Sequence, residues 1–167
     1  PLRGARIVTV TLVVPQAIAD QFTESAKQPV ETAGVLLVRA VRDANGDIKL
    51  LGRKMLWLDD SDYLSRSAME LRVTSEVYVR HLGEAEERSE TAIWVHTHPN
   101  GGPPYPSEMD VAVDQQIADV FRIRTGSDFY GSLTLSSAPQ GYNFTGKLLE
   151  PRDTHPLTRI FSVGDRW

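Results

Sequence analysis

The chain has 167 residues, of which 41% are hydrophobic and 24% are charged, and its formal net charge is −4. This composition is typical of one soluble globular domain, and the acidic balance argues against a nucleic-acid partner. The absence of cysteine excludes disulfides, thiolate catalysis and cysteine-bound zinc. No apolar run approaches the roughly 18–20 residues that span a bilayer, so we expect no membrane contact and a cytoplasmic location.

The start of the chain predicts a strand followed by a helix. Apolar residues alternate with other residues through 8–14, as expected of a strand. Pro15 suits the first turn of a helix, where its missing N–H would have no partner. Ile18, Phe22 and Ala26 recur every four residues, so this helix is predicted to bury one apolar stripe.

The next part of the chain predicts more of the sheet. Three largely apolar segments are predicted strands: 33–41, 48–51 and 54–58. Residues 43–47 form a predicted hairpin turn, in which Gly46 is free to adopt a positive φ. Residues 59–62 are predicted to form a loop, and no element is assigned to 63–73.

The second half predicts two more helices. Thr74 is the predicted N-cap of a helix that extends to about Arg88. Its buried face is predicted to comprise Val77, Tyr78, Leu82 and Ala85. Residues 91–95 form a short buried strand that leads into His96, and Ser107 opens the other helix. The core side of that helix is predicted to comprise Met109, Val113, Ile117, Val120 and Phe121.

The last predicted elements are a hairpin and a tail. Residues 129–136 and 142–149 form a final predicted hairpin, and helices interspersed with strands give an α/β or α+β class. Beyond about Glu150 the pattern fades. We therefore predict one domain over 1–150 and a tail or linker over 151–167. Since residue 1 is proline, we expect a piece of a longer polypeptide in which the tail leads to another domain.

One cluster of residues has the composition of a metal site. His96-Thr97-His98-Pro99 is followed by seven residues and then by Ser107-Glu108-Met109-Asp110. Residues two apart in a strand share a face, so His96 and His98 point the same way. Asp110 falls in the first turn of the helix that Ser107 opens. Two imidazoles and one carboxylate make the three-ligand set of a catalytic zinc site, which leaves a fourth position for water.

Each half of this pattern has a structural explanation when taken alone. A histidine in a strand is most often a packed structural residue, and Ser-x-x-Asp is also a normal helix cap. The combination is harder to explain without a metal, because three prolines between 100 and 106 also stiffen the loop that joins the two halves. His81 and His155 have no comparable partners, and we expect neither to bind metal.

His-Ser/Thr-His-Pro, seven residues and Ser-x-x-Asp resembles the full signature of the JAMM (JAB/MPN+) family of zinc metalloproteases. The resemblance covers about residues 5–149, with no departure in the motif, and is strongest to compact bacterial JAB domains. It implies a curved mixed sheet flanked by helices, of the cytidine-deaminase-like type. The family also has a glutamate at the start of a strand after the first helix, and Glu31 occupies that place.

The resemblance implies a role for each of five residues. His96, His98 and Asp110 correspond to the ligands of one zinc ion, Glu31 to the general acid/base, and Ser107 to the residue that stabilises the tetrahedral intermediate. Because all five are present, 1–150 is expected to be a working catalytic domain. Without the resemblance, Glu31 is more simply explained as a solvated residue at a strand start.

The resemblance also implies the substrate. The expected reaction is hydrolysis of a peptide or isopeptide bond at the C-terminus of a ubiquitin-like protein. Such a tail can pair with a strand edge, and a narrow site admits Gly-Gly where bulkier residues clash. Activating-enzyme-like and conjugating-enzyme-like proteins are the expected further partners.

Two alternatives stay open. One is a different zinc hydrolase on the same fold, such as the DNA-repair-associated relatives with His-Asn-His-Pro. The loop before their serine is typically one residue shorter, and the acidic charge here argues against nucleic acid. The other is a non-catalytic binding module that retains zinc for structure.

Overall fold

The computed structural model describes residues 7–99, 101 and 103–164. Over these residues the chain forms three α-helices and nine strands. The helices are α1 (Gln16–Ala26), α2 (Ser75–Arg88) and α3 (Glu108–Thr125). The strands are β1 (Val10–Pro15), β2 (Ala33–Arg42), β3 (Ile48–Trp57), β4 (Tyr63–Arg66), β5 (Leu71–Val73), β6 (Thr91–His98), β7 (Tyr130–Ala138), β8 (Gly141–Leu149) and β9 (Thr154–Val163).

Seven strands form one mixed sheet in the order β1-β3-β2-β6-β7-β8-β9, which closes because β9 also pairs with β1. Strands β6 and β7 are parallel, while β2 pairs antiparallel with both β3 and β6. Strands β4 and β5 form a separate two-stranded hairpin. The predicted α/β (α+β) class, with a mixed sheet and flanking helices, is confirmed.

Different helices pack on the two faces of the sheet. Alternate residues of β2 and β6, such as Leu36 and Val95, pack with α1 in the principal core. The intervening residues, such as Val35 and Trp94, pack against α2 and α3. This period of two follows from strand geometry. Two residues beyond Trp94, His96 therefore lies on the face that carries α2 and α3.

Most predicted elements are confirmed, with different bounds for some. Helix α1 buries Ile18, Phe22 and Ala26 as predicted. The two strands predicted between 48 and 58 are one strand, β3, whose register against β2 shifts beside Gly52. The predicted 59–62 loop contains a short 3-10 helix, Asp60–Asp62.

The buried face of α3 differs from the prediction. Met109 is 68% exposed and Val120 is also exposed, whereas the buried residues are Asp114, Ala118, Phe121 and Thr125. The prediction is confirmed for Phe121 and for Ile117, which packs against the second core cluster, and is wrong for Met109 and Val120 because it assigned every apolar residue to the core. The carboxylate of Asp114 also lies on the buried face of α3, because Lys147 of β8 neutralises it.

The prediction that everything beyond residue 150 is a tail or linker is wrong for the segment that forms β9. Thr154–Val163 pairs parallel with β1 and antiparallel with the end of β8. Leu157 and Ile160 are partly buried and pack against the principal core. Strand β9 is therefore part of the folded unit. Among the described residues, no helix is long and apolar enough to cross a membrane.

Candidate metal centre

Strand β6 carries the two histidines of the motif to the edge of the core. It lies between β2 and β7 in the sheet, and seven of its eight residues are buried. His96 is buried and His98 is partly exposed. Their Nε2 atoms are 3.2 Å apart. The end of a rigid central strand thus presents two imidazole nitrogens to a common point.

The first turn of α3 brings the carboxylate of Asp110 to the same point. Ser107 is the N-cap residue, and its hydroxyl accepts a hydrogen bond from the Asp110 N–H. The Asp110 side chain returns the contact, since Oδ2 accepts from both the Ser107 N–H and the Ser107 hydroxyl at 2.7 Å. This reciprocal capping box fixes the carboxylate at the start of the helix.

The three predicted ligands converge with a geometry that fits a small metal ion. Oδ2 of Asp110 lies 3.4 Å from Nε2 of His96 and 3.9 Å from Nε2 of His98. Ligand atoms about 2.0–2.1 Å from a tetrahedral zinc ion are about 3.3 Å apart. Because the separations of 3.2, 3.4 and 3.9 Å lie close to this value, a nitrogen/oxygen donor set of the kind zinc prefers is already assembled.

The electrostatics of the cluster favour the protonation states that bind a cation. Burial alone would raise the pKa of Asp110, but hydrogen bonding and charge from His96, together with the Ser107 hydrogen bonds, hold that pKa well below its usual range. Burial and the neighbouring His96 lower the pKa of His98, although Asp110 opposes this. An ionised carboxylate and a neutral imidazole are the forms that ligate metals.

Glu31 lies beside this cluster without belonging to it. It is buried, and it precedes β2, whose first residue, Ala33, pairs with His96. Burial raises the pKa of Glu31; the charge of His96 opposes the rise, and those of Asp110 and Glu70 add to it. In the described part of the chain its carboxyl makes no hydrogen bond. The side chain is therefore a buried titratable carboxyl within electrostatic reach of His96 and Asp110.

Ser107 is close to the cluster but has a structural role in this state. Its hydroxyl donates to the Asp110 carboxylate and accepts from the Asp110 N–H. The structure thus brings together all five predicted residues, with His96, His98, Asp110 and Ser107 in direct contact and Glu31 on the neighbouring strand start. It does not place Ser107 as a free hydrogen-bond donor.

Sequence reasoning missed an ion pair that holds α3 to the sheet one turn beyond Asp110. The Asp114 carboxylate forms an ion pair with Nζ of Lys147 at 3.1 Å and accepts a hydrogen bond from the Tyr130 hydroxyl at 3.4 Å. The side chain of Asp114 is only 3% exposed. The spacing of four residues from Asp110 was the available signal, because residues four apart share a helix face. The pair ties the helix that carries Asp110 to β7 and β8.

The remaining histidines have other partners. His81 is buried in α2, and its Nδ1 contacts the Val77 carbonyl at 2.7 Å. His155 lies 2.6 Å from Glu150, which also pairs with Arg42 at 2.6 Å. The ligand atoms of Glu150, Asp153 and His155 do lie within 4.8 Å of one another. The arginine already neutralises Glu150, so we interpret this second group as an ion-pair network between β8 and β9.

The fold and the cluster define an α/β domain in which three side chains that could hold a metal ion converge at the end of a central strand. The family described as prokaryotic homologs of the JAB domain matches residues 14–143. The chain belongs to this family, which confirms the resemblance seen in the motif. The JAB-domain family includes metalloisopeptidases, and its JAB/MPN+ members bind zinc.

Proposed function

We propose that this protein is a zinc-dependent hydrolase that cleaves a peptide or isopeptide bond at the C-terminus of a ubiquitin-like protein. The observation that carries the proposal is the convergence of His96, His98 and Asp110 beside the buried carboxyl of Glu31. Three ligands, an open fourth position and a separate acid/base group are the components of a catalytic zinc site.

In the proposed reaction, the three ligands hold zinc, which when bound supplies a hydroxide nucleophile near neutral pH by lowering the pKa of water to about 7. Glu31 accepts the proton of the attacking water and later passes it to the leaving amine. The raised pKa of Glu31 suits both steps, because a carboxyl whose pKa lies closer to neutral pH can both take up and release a proton.

Ser107 is proposed to donate a hydrogen bond to the oxyanion that develops on the scissile carbonyl. In this structure its hydroxyl donates to Asp110. The proposal therefore requires that this bond be exchanged for one to the substrate. The backbone N–H of Ser107, which also donates to Asp110 Oδ2, can keep the carboxylate in place during the exchange.

The substrate class is supported by the family and by a strand edge near the centre. Strands β4 and β5 pair only with each other in the described part of the chain, so the other edge of each strand is paired with no described strand. It contacts the site because the Ser67 carbonyl accepts from the Glu31 N–H. An extended tail can pair with such an edge. Activating-enzyme-like and conjugating-enzyme-like proteins remain proposed partners.

The test uses a ubiquitin-like protein that carries a short extension after its C-terminal Gly-Gly, with mass spectrometry to locate the cut. Zinc-loaded protein should cleave after the second glycine, and chelator-treated protein should not. A matched substrate with both glycines replaced by valine should resist cleavage. Stoichiometric zinc without any cleavage would instead favour the non-catalytic binding module.

A further inference from the structure

The position of Glu31 is not set by the main sheet. Strand β2 begins at Ala33, so Glu31 and Thr32 lie before the first paired residue of the ladder. Thr32 is tied to β6, because its N–H donates to the Thr97 hydroxyl and its carbonyl accepts from the Thr97 N–H, both at 2.9 Å. Glu31 needs a separate support, and the β4–β5 hairpin supplies it.

Both backbone groups of Glu31 bond to adjacent residues of this hairpin. The Glu31 N–H donates to the Ser67 carbonyl at 2.7 Å, and the Glu31 carbonyl accepts from Nε of Arg66 at 3.0 Å. Side chains on a backbone held at both the donor and the acceptor have little freedom to shift. The hairpin therefore fixes where the Glu31 carboxyl emerges beside the metal ligands.

Every nitrogen of the Arg66 guanidinium donates a hydrogen bond, and two of the three bonds go to the start of β2. Besides the Glu31 carbonyl, it donates from Nη2 to the Thr32 hydroxyl at 2.9 Å and from Nη1 to Asp60 at 3.1 Å. Its guanidinium carbon lies 4.4 Å from the centre of the Tyr63 ring. The side chain is only 23% exposed. A planar fork with three directed bonds orients its partners in a way that a lysine cannot.

The ring beneath the guanidinium extends the same support to the start of β2. The hydroxyl of Tyr63 accepts from the Ala33 N–H at 3.0 Å. Arg66 and Tyr63 together thus bond to three consecutive residues, from Glu31 to Ala33. An arginine with only a solubility role would not direct two of its three donor nitrogens to one strand start.

We infer that Arg66 is a positioning residue for Glu31, so that the β4–β5 hairpin sets the reach of the acid/base carboxyl. The inference rests on the proposed function. Arg66 is not a catalytic residue, because it contacts Glu31 only at the backbone. Its loss should reduce turnover while leaving the zinc ligands on β6 and α3 intact. A displacement of about 1 Å at a reacting group can cost roughly a hundredfold in rate.

The test compares Arg66→Ala and Arg66→Lys with Arg72→Ala. Arg72 is an exposed arginine of the same hairpin, with no side-chain hydrogen bond or ion pair to the described residues. Arg66→Ala should lower kcat about 10- to 100-fold with KM and zinc content nearly unchanged. Arg66→Lys should recover part of the loss, and Arg72→Ala should match the wild type. In a Glu31→Gln background, Arg66→Ala should cause no further loss.

Hydrogen exchange of the Glu31 and Thr32 amides gives a readout that does not depend on activity. Arg66→Ala should speed exchange there, while amides in α1 keep their protection. The inference is overturned if exchange is unchanged, or if Arg66→Ala lowers kcat equally with and without the Glu31 carboxylate. Inactive wild-type protein with faster exchange in Arg66→Ala would overturn the proposed function and the link to turnover, and leave only the anchoring of Glu31.

Discussion

Replacing Lys147 with methionine tests whether α3 is held to the sheet by the buried ion pair. The change removes the ammonium group and keeps an unbranched side chain of nearly the same length. Asp114 would then be a carboxylate that is 3% exposed, with the Tyr130 hydroxyl at 3.4 Å as its one remaining hydrogen-bond partner among the described residues. Removing one partner of a buried pair costs about 3–5 kcal/mol, because the other charge is left without compensation.

The lower end of that range applies, because Lys147 is itself 21% exposed and water already screens part of the pair. We expect a loss of about 3 kcal/mol in the free energy of unfolding, equivalent to about 6–12 °C in thermal midpoint for a chain of this size. Calorimetry of the metal-free protein measures the thermal midpoint, and its unfolding in urea measures the free energy. The matched control is Lys49→Met on β3, an exposed lysine whose loss should stay within about 0.5 kcal/mol.

A double variant shows whether the stability is lost because the ion pair is broken or because the packing is disturbed. Lys147→Met combined with Asp114→Leu removes both charges, and such apolar replacement of a whole pair is often close to neutral. Most of the lost stability should therefore return. The reasoning is refuted if Lys147→Met is no more destabilised than Lys49→Met, or if the double variant is less stable than Lys147→Met by the full cost of a second mutation.

Removal of 151–167 should lower the thermal midpoint by about 4–8 °C, because β1 loses a paired strand and two partly buried aliphatic side chains; an unchanged midpoint would show that β9 contributes nothing. His98→Ala should abolish stoichiometric zinc in elemental analysis, whereas His155→Ala should retain it, and the reverse result would move the metal to the second group. The Arg80 hydrogen bond lowers the pKa of Asp62 despite burial. The stability this provides is present above the unfolded pKa of about 3.9 and lost as pH falls below it. Asp62→Asn should flatten the acid side of the stability–pH curve, and an unchanged slope would contradict the assignment.

The sequence predicted those features that depend on local patterns. The alternation in β6 and the cap at Ser107 are both local, so the convergence of His96, His98 and Asp110 followed from short segments and one stiff loop. The family signature supplied Glu31, which no local pattern would have selected. The histidines and the capped aspartate could be predicted because each lies in a short segment whose neighbours in sequence are also neighbours in space.

The features that were missed depend on contacts between distant segments. Strand β9 is mostly exposed and contains Pro156, so its alternation is weak, and its pairing with β1 joins the two ends of the chain. The burial of Asp114 could not be predicted from local sequence, because its partner Lys147 lies 33 positions away. Arg66 lies in a segment without periodicity, and its importance comes from the backbone of Glu31.

The central claim is that zinc held by the triad and a proton carried by Glu31 together hydrolyse the substrate. The most direct measurement is zinc content and cleavage rate of Glu31→Gln, compared with the wild type on the extended ubiquitin-like substrate. Glutamine keeps the shape of the side chain but cannot accept the proton. We expect Glu31→Gln to retain about one zinc ion per chain and to lose at least about a hundredfold in rate. Cleavage at the wild-type rate, or loss of the metal along with activity, would contradict it.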